Sequence, residues 1–149
     1  MRRIHIASDH AGFVLKRILA RNLAERGCEV ADDGPFTEES CDYPVMAHKL
    51  CHAVAREGCL GILVCGSGIG MSMAANRHPE IRAALCTTEL HAGLARRHNN
   101  ANVLCLGARI TGVELAMSIV AAFLENDFEG GRHARRIGLL APLAENLET

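Results

Sequence analysis

Gly61-Ile-Leu-Val-Cys-Gly-Ser-Gly-Ile-Gly-Met-Ser-Met-Ala-Ala-Asn76 is an apolar run that breaks into a glycine-rich turn and resumes with helix-forming residues. Gly61 to Val64, bounded by turn signals, suits a parallel strand buried on both faces, and Ile69 to Asn76 has the composition of a helix. The stretch therefore reads as strand, loop, helix. Gly66, Gly68 and Gly70 let the backbone turn tightly and bring successive N–H groups close to a ligand. They do so at a helix N-terminus, where the dipole favours an anion or a developing oxyanion. Two side chains in the turn can do chemistry. Cys65 stands where strand meets loop, beside a helix N-terminus that gives a cysteine thiolate character, and Ser67 stands between glycines. A cysteine at a strand end is also common core filling, and such a turn can equally cradle a nucleotide phosphate.

Working back from this unit, Arg3-Ile-His-Ile-Ala7 reads as a first strand. It runs through Ser8-Asp9-His10-Ala11-Gly12 into a helix with Val14, Leu15, Ile18, Leu19 and Leu23 on one face, stopped by Gly27. Ligand groups collect beyond the carboxyl ends of strands, the place of Asp9 and His10. Capping the helix would account for Asp9 alone but not for His10. A short strand Glu29–Ala31, a turn Asp32-Asp33-Gly34-Pro35 and a polar loop to Asp42-Tyr43-Pro44 precede a helix from about Val45 to Arg56.

Working forward, Pro79 closes the helix of the opening stretch. Arg82–Cys86 forms a fourth strand, followed by a helix through Leu90 and Leu94 that ends near Arg97-His98-Asn99-Asn100. Val103–Leu106 is the fifth strand. Its exit, Gly107-Ala-Arg109, places a charge at another carboxyl end, and Gly112 to Leu124 makes a helix with Val113, Met117, Val120 and Leu124 inward. Five strand–helix units specify an α/β fold, a parallel sheet covered by helices on both faces with all strand exits on one edge. A tail from about residue 131 follows, with Arg132, His133, Arg135 and Arg136, then apolar Ile137 to Leu143. Arg132 and Arg136 are four apart, so in a helix they share a face and can grip one phosphate; a solvated basic helix reads the same way.

The chain has 149 residues, enough for one domain and a sizeable core. Sixteen Lys+Arg against 17 Asp+Glu leave a net charge of −1, so no basic field draws nucleic acid, and any phosphate site is local. The absence of Trp and a single Tyr leave no aromatic platform for bases. Seven cysteines without a C-x-x-C pair, in a sequence lacking a signal-peptide pattern, point to free thiols in a reducing cytoplasm. No apolar run approaches the roughly 20 residues of a membrane span.

Ser8-Asp-His-Ala-Gly12, Asp42-Tyr-Pro44, Cys65-Gly-Ser-Gly-Ile-Gly70, Ala74-Ala-Asn76, His98-Asn99, Gly107-Ala-Arg109 and Gly130-Gly-Arg-His133 together resemble the ribose-5-phosphate isomerase type B family, which also holds galactose-6-phosphate and allose-6-phosphate isomerases. The resemblance covers nearly the whole chain. It implies a single three-layer α/β/α Rossmann-like domain over residues 1–149 with a five-stranded parallel sheet. The histidines and cysteines show no tight ligand spacing, so no metal is expected. The resemblance also implies a homodimer, or a dimer of dimers, with active sites at the subunit interface, and interconversion of an aldose and a ketose phosphate without cofactor. In the roles it implies, Cys65 takes the proton next to the carbonyl and Ser67 moves protons between the two oxygens. The N–H groups along Gly66, Ser67, Gly68, Ile69 and Gly70 stabilise the enediolate. His98 opens the furanose ring, and Asp9, His10 and Asn99 hold polar ends of the sugar. Arg109, Arg132 and Arg136 grip the phosphate, the last two from the partner subunit. One branch of the family carries, instead of this cysteine, a glutamate after the last glycine; that position here is Met71. An isomerase of another sugar phosphate (allose 6-phosphate, galactose 6-phosphate or a tetrose phosphate) shares these motifs. A non-catalytic module binding a phospho-ligand on the same turn is the rival from another class, and it has no use for Cys65 or His98.

Overall fold

Alternation of short apolar runs with amphipathic stretches resolves, in a computed structural model describing residues 1–140, into five strands and six helices. The order is β1 (Arg3–Ser8), α1 (Phe13–Glu25), β2 (Glu29–Gly34), α2 (Tyr43–Glu57), β3 (Leu60–Cys65), α3 (Ile69–Ala75), β4 (Ala83–Leu85), α4 (Glu89–Asn99), β5 (Val103–Gly107), α5 (Val113–Glu125) and α6 (Arg132–Gly138). The expected apolar tail passes out of the described residues after Leu140.

All strand pairs are parallel, in the order β2-β1-β3-β5-β4. From β1 the chain first steps to β2 on one side and then crosses to β3 on the other. Right-handed crossovers therefore put α1, α4 and α5 on one face and α2 and α3 on the opposite one. Each face has its own core. Ile4, Ile6, Leu19, Ile62, Leu104 and Phe123 are wholly buried on the first, and Ala7, Leu50, Leu63, Met71, Val103 and Cys105 on the second. Burying one such large side chain contributes about 1.5–3 kcal/mol. The reversal between β1 and β3 opens a crevice outside their carboxyl ends, the usual place for a ligand in an open α/β sheet.

Several expected details change on folding. Asp32-Asp33-Gly34, read as a turn, extends the edge strand β2, because Lys16 of α1 is buried beside it and needs those acceptors. Its ammonium lies 2.6 and 2.8 Å from the two Asp32 carboxylate oxygens and 2.7 Å from the Pro35 carbonyl. Stranding such a charge by removing its partner costs about 3–5 kcal/mol. The face of α1 accordingly buries Lys16 and leaves Val14 exposed. In α5, Val113 is exposed at the first turn, and Ala116, Ile119, Val120, Phe123 and Leu124 face inward. Leu90 is exposed too, because α4 meets its neighbours through the small residues Ala92, Gly93 and Ala95.

Candidate active site

Cys65 ends β3 at the crevice, and its Sγ turns back to accept the Gly68 N–H at 3.1 Å. That bond fixes the direction of a thiol only 5% exposed. Gly68 closes the turn at φ +79° directly before α3, a left-handed conformation that glycine adopts without a Cβ penalty. Gly70 serves a different need from the tight turning expected of it: a Cβ there would lie 2.7 Å from the Tyr43 ring. Ser67 Oγ accepts the Ile69 N–H at 3.3 Å. The β3–α3 loop is bound to the exit of β5 through Ala108 N–H to the Cys65 carbonyl (2.8 Å) and Arg109 N–H to the Gly66 carbonyl (2.9 Å). A Cβ on Gly66 would come within 3.3 Å of the Arg109 guanidinium, so that side chain lies directly over the turn.

The exit of β1 closes the other side. Asp9 is buried, and its Oδ1 accepts the Gly12 N–H at 3.0 Å, which shapes the turn ahead of α1 without capping the helix itself. His10 Nδ1 accepts the Cys41 N–H at 3.3 Å, which leaves the proton of the neutral ring on Nε2. A cleft of about 370 Å³ is lined by Asp9, His10, Tyr43, Cys65, Gly66, Ser67, Gly70 and Arg109. A thiol, a hydroxyl, an imidazole, a carboxylate and a guanidinium thus converge in one cleft. Tyr43 was missed among the site residues, although the only tyrosine in an aromatic-poor chain is a visible signal.

The remaining expected residues lie elsewhere. Helix α4 begins beyond the carboxyl end of β4 and runs back over the sheet for 11 residues, about 16 Å. His98 and Asn99 therefore emerge at the amino edge, where the Asn99 carbonyl accepts from Arg82, the residue preceding β4. Helix α6 packs on α4 and brings Arg132 and Arg136 to that same end. His98, Asn99, His133 and Arg136 line a second cavity of about 260 Å³. The rings of His98 and His133 stack at 4.3 Å with an 8° interplanar angle, and Glu129 Oε2 lies 3.7 and 3.8 Å from their Nε2 atoms. Burial, with the neighbouring His98 and Arg132 charges, holds His133 below the ordinary histidine range. Glu129 and His133 were also missed; their i, i+4 spacing beside the expected basic cluster was the available signal. Arg109, Arg132 and Arg136 have no carboxylate partner among the described residues, which suits them to an anionic ligand.

The sequence shows no tight ligand spacing, yet folding brings two groups of candidate ligands together. Folding gathers His98, Glu129 and His133, and separately His5, Glu57 and Cys59, with ligand atoms within 4.8 Å of one another. Neither group includes a residue of the Cys65 cleft. Among the described residues no helix is long and apolar enough to cross a membrane, and all seven cysteines are free thiols.

Residues 4–140 match the ribose/galactose isomerase family. The chain is 44% identical over 146 residues to the ribose-5-phosphate isomerase B of Escherichia coli, covering 97% of this chain and 98% of that protein. Among solved structures, a ribose 5-phosphate isomerase of Thermotoga maritima gives a TM-score of 0.93 at 50% identity, covering 95% of this chain and 99% of that one. The ribose-5-phosphate isomerase B of Mycoplasma genitalium with bound ribulose-5-phosphate gives 0.90 at 44% identity, covering 93% of each chain.

Proposed function

The chain belongs to the ribose/galactose isomerase family, and from that premise we propose that it interconverts ribose 5-phosphate and ribulose 5-phosphate, a reaction of pentose phosphate metabolism, without a cofactor. The observation that carries the reading is the Cys65 thiol, fixed by the Gly68 N–H in a cleft with Asp9, His10, Ser67 and Arg109. The Cys65 sulfur takes the proton from C2 of the open-chain aldose and returns it to C1. Ser67 passes the hydroxyl proton from the C2 oxygen to the C1 oxygen, so the two movements together convert aldehyde to ketone. The enediolate formed between them carries negative charge beside the N–H groups of the Gly66–Gly70 turn.

Arg109 supplies part of the phosphate grip from the same chain. We assign the partner subunit's His98, Asn99, Arg132 and Arg136 to complete the site across a homodimer interface, in a dimer or a dimer of dimers. The separation of these residues from Cys65 within one chain supports that arrangement. Asp9, His10 and Asn99 hold polar ends of the sugar. The free thiols support a place in the reducing cytoplasm.

Turnover in deuterated solvent tests the function. Conversion of ribose 5-phosphate with incorporation of solvent deuterium at carbon is expected, and binding without exchange would make the chain a non-catalytic module. Run in parallel on allose 6-phosphate, galactose 6-phosphate and a tetrose phosphate, the assay should give its highest kcat/KM with ribose 5-phosphate.

His98 has a narrower expected role, ring opening, which only a cyclic substrate needs. His98→Gln should slow conversion of ribose 5-phosphate by about 10²-fold or more. Ribulose 5-phosphate, which cannot close that furanose, should lose much less; equal losses in the two directions would remove the ring-opening role. Metal independence is the companion expectation, because an enediolate can be stabilised by backbone donors instead of a metal ion. Exhaustive chelation should leave kcat unchanged, whereas a loss restored by zinc, magnesium or manganese would refute the account.

A further inference from the structure

We propose that His5, Glu57 and Cys59 form a binding site for one zinc-class divalent metal ion, separate from the isomerase cleft. His5 lies on β1 beneath the C-terminal end of α2, its side chain 4% exposed. Its Nδ1 is 2.8 Å from Asp33 Oδ2, and its Nε2 is 3.1 Å from Glu57 Oε2. The Sγ of Cys59, in the short connection between α2 and β3, lies within 4.8 Å of both ligand atoms. A carboxylate on one ring nitrogen is the usual device that fixes the tautomer and aims the other nitrogen at a metal. Here Asp33 occupies that place. The Nε2–Oε2 separation approaches the ~3.3 Å edge between two ligands of a tetrahedral ion at about 2.0–2.1 Å.

The donor set is one imidazole, one carboxylate and one thiol, a mixture suited to zinc rather than to magnesium or calcium. Glu57 offers its Oε2 to the site. Arg56 binds Oε1, on the other side of the carboxylate from the site. Arg3 Nε, 3.0 Å from Oε2, is the group that must withdraw. Its side chain is half exposed, and Nη1 already lies 3.3 Å from Glu29. The Cys59 thiol ligates only once its proton has left. Metal binding releases that proton, together with any proton shared between Nε2 and Glu57, and affinity rises with pH. Water completes the fourth position.

His5 stands four residues before Asp9, roughly 13 Å along an extended chain, so the ion would not touch the reacting sugar. It would instead join β1, α2 and the start of β3. The second gathered group, His98 with Glu129 and His133, belongs to the site already described.

The test is titration of metal-stripped full-length protein with Co²⁺, followed by competition with Zn²⁺. One equivalent should bind with sulfur-to-cobalt charge-transfer absorption, and zinc should abolish the band. Cys59→Ala should lose it, and Cys28→Ala and Cys41→Ala, at other partly exposed thiols, should retain it. Asp33→Asn should keep the band and weaken binding about 10–100-fold. Excess zinc should raise the thermal unfolding midpoint of the wild type and not of Cys59→Ala, with kcat on ribose 5-phosphate unchanged in both. Absence of stoichiometric binding, or a charge-transfer band that survives Cys59→Ala, would overturn the site. Neither result bears on the isomerase reading, which turns on Cys65.

Discussion

Replacement of Cys65 by alanine is expected to abolish isomerisation while sugar-phosphate binding stays nearly intact. A positioned base contributes about 10²–10⁴-fold, so kcat should fall by at least that order. Binding should survive because the backbone of the turn is held independently of the sulfur. Ala108 and Arg109 donate to the carbonyls of residues 65 and 66, and Gly68 keeps its left-handed conformation. The other core thiols make suitable controls. Burial raises Cys51 to about 12, Cys86 to about 11 and Cys105 well above the ordinary thiol value, which disqualifies them as bases near neutral pH. Cys51→Ala should therefore keep its turnover, provided it folds, as circular dichroism can establish. Steady-state kinetics with calorimetric binding of ribose 5-phosphate decides the matter. Retained turnover in Cys65→Ala would remove the thiol from the chemistry.

Two inactive proteins should restore one another's activity if the site is shared. Cys65→Ala homodimers lack the base, and Arg132→Ala/Arg136→Ala homodimers lack the partner's phosphate grip. In a mixed dimer all three lesions fall in one site and the other is whole. Random reassortment makes half the dimers mixed, each with one intact site of two, so activity should recover to about one quarter of wild type for an isologous pair. Against a background reduced a hundredfold or more, that recovery is easily measured. The geometry motivates the expectation: α4 carries His98 to the amino edge, α6 holds the arginines there, and Cys65 opens at the carboxyl edge. No recovery after confirmed subunit exchange would place the arginines in cis and reject the interface.

Much of the cleft was legible before folding because it is built from strand exits. In a parallel sheet every exit lies on one edge, so Asp9-His10, Cys65-Gly66-Ser67 and Arg109 had to become neighbours once their strands were recognised. The resemblance added roles to those positions, but their convergence follows from topology. His98 and Asn99 were legible only as motif residues, since nothing local says that a helix leaving one edge delivers its last turn to the other.

The sequence by itself determined the alternation of strands and helices, the parallel sheet and the strand–turn–helix around Cys65, because periodicity and glycine placement act within a few residues. Tertiary structure alone decided the order β2-β1-β3-β5-β4, since parallel strands of similar composition are sorted by the direction and hand of their crossovers. It also decided that Asp32 and Asp33 continue a strand, because the partner that satisfies Asp32, Lys16, comes from a different element. The same holds for the meeting of His5 with Asp33, Glu57 and Cys59, and of His98 with Glu129 and His133. Those side chains are far apart in the chain and carry no shared period, and only the packing of helices onto the sheet sets the distances between them.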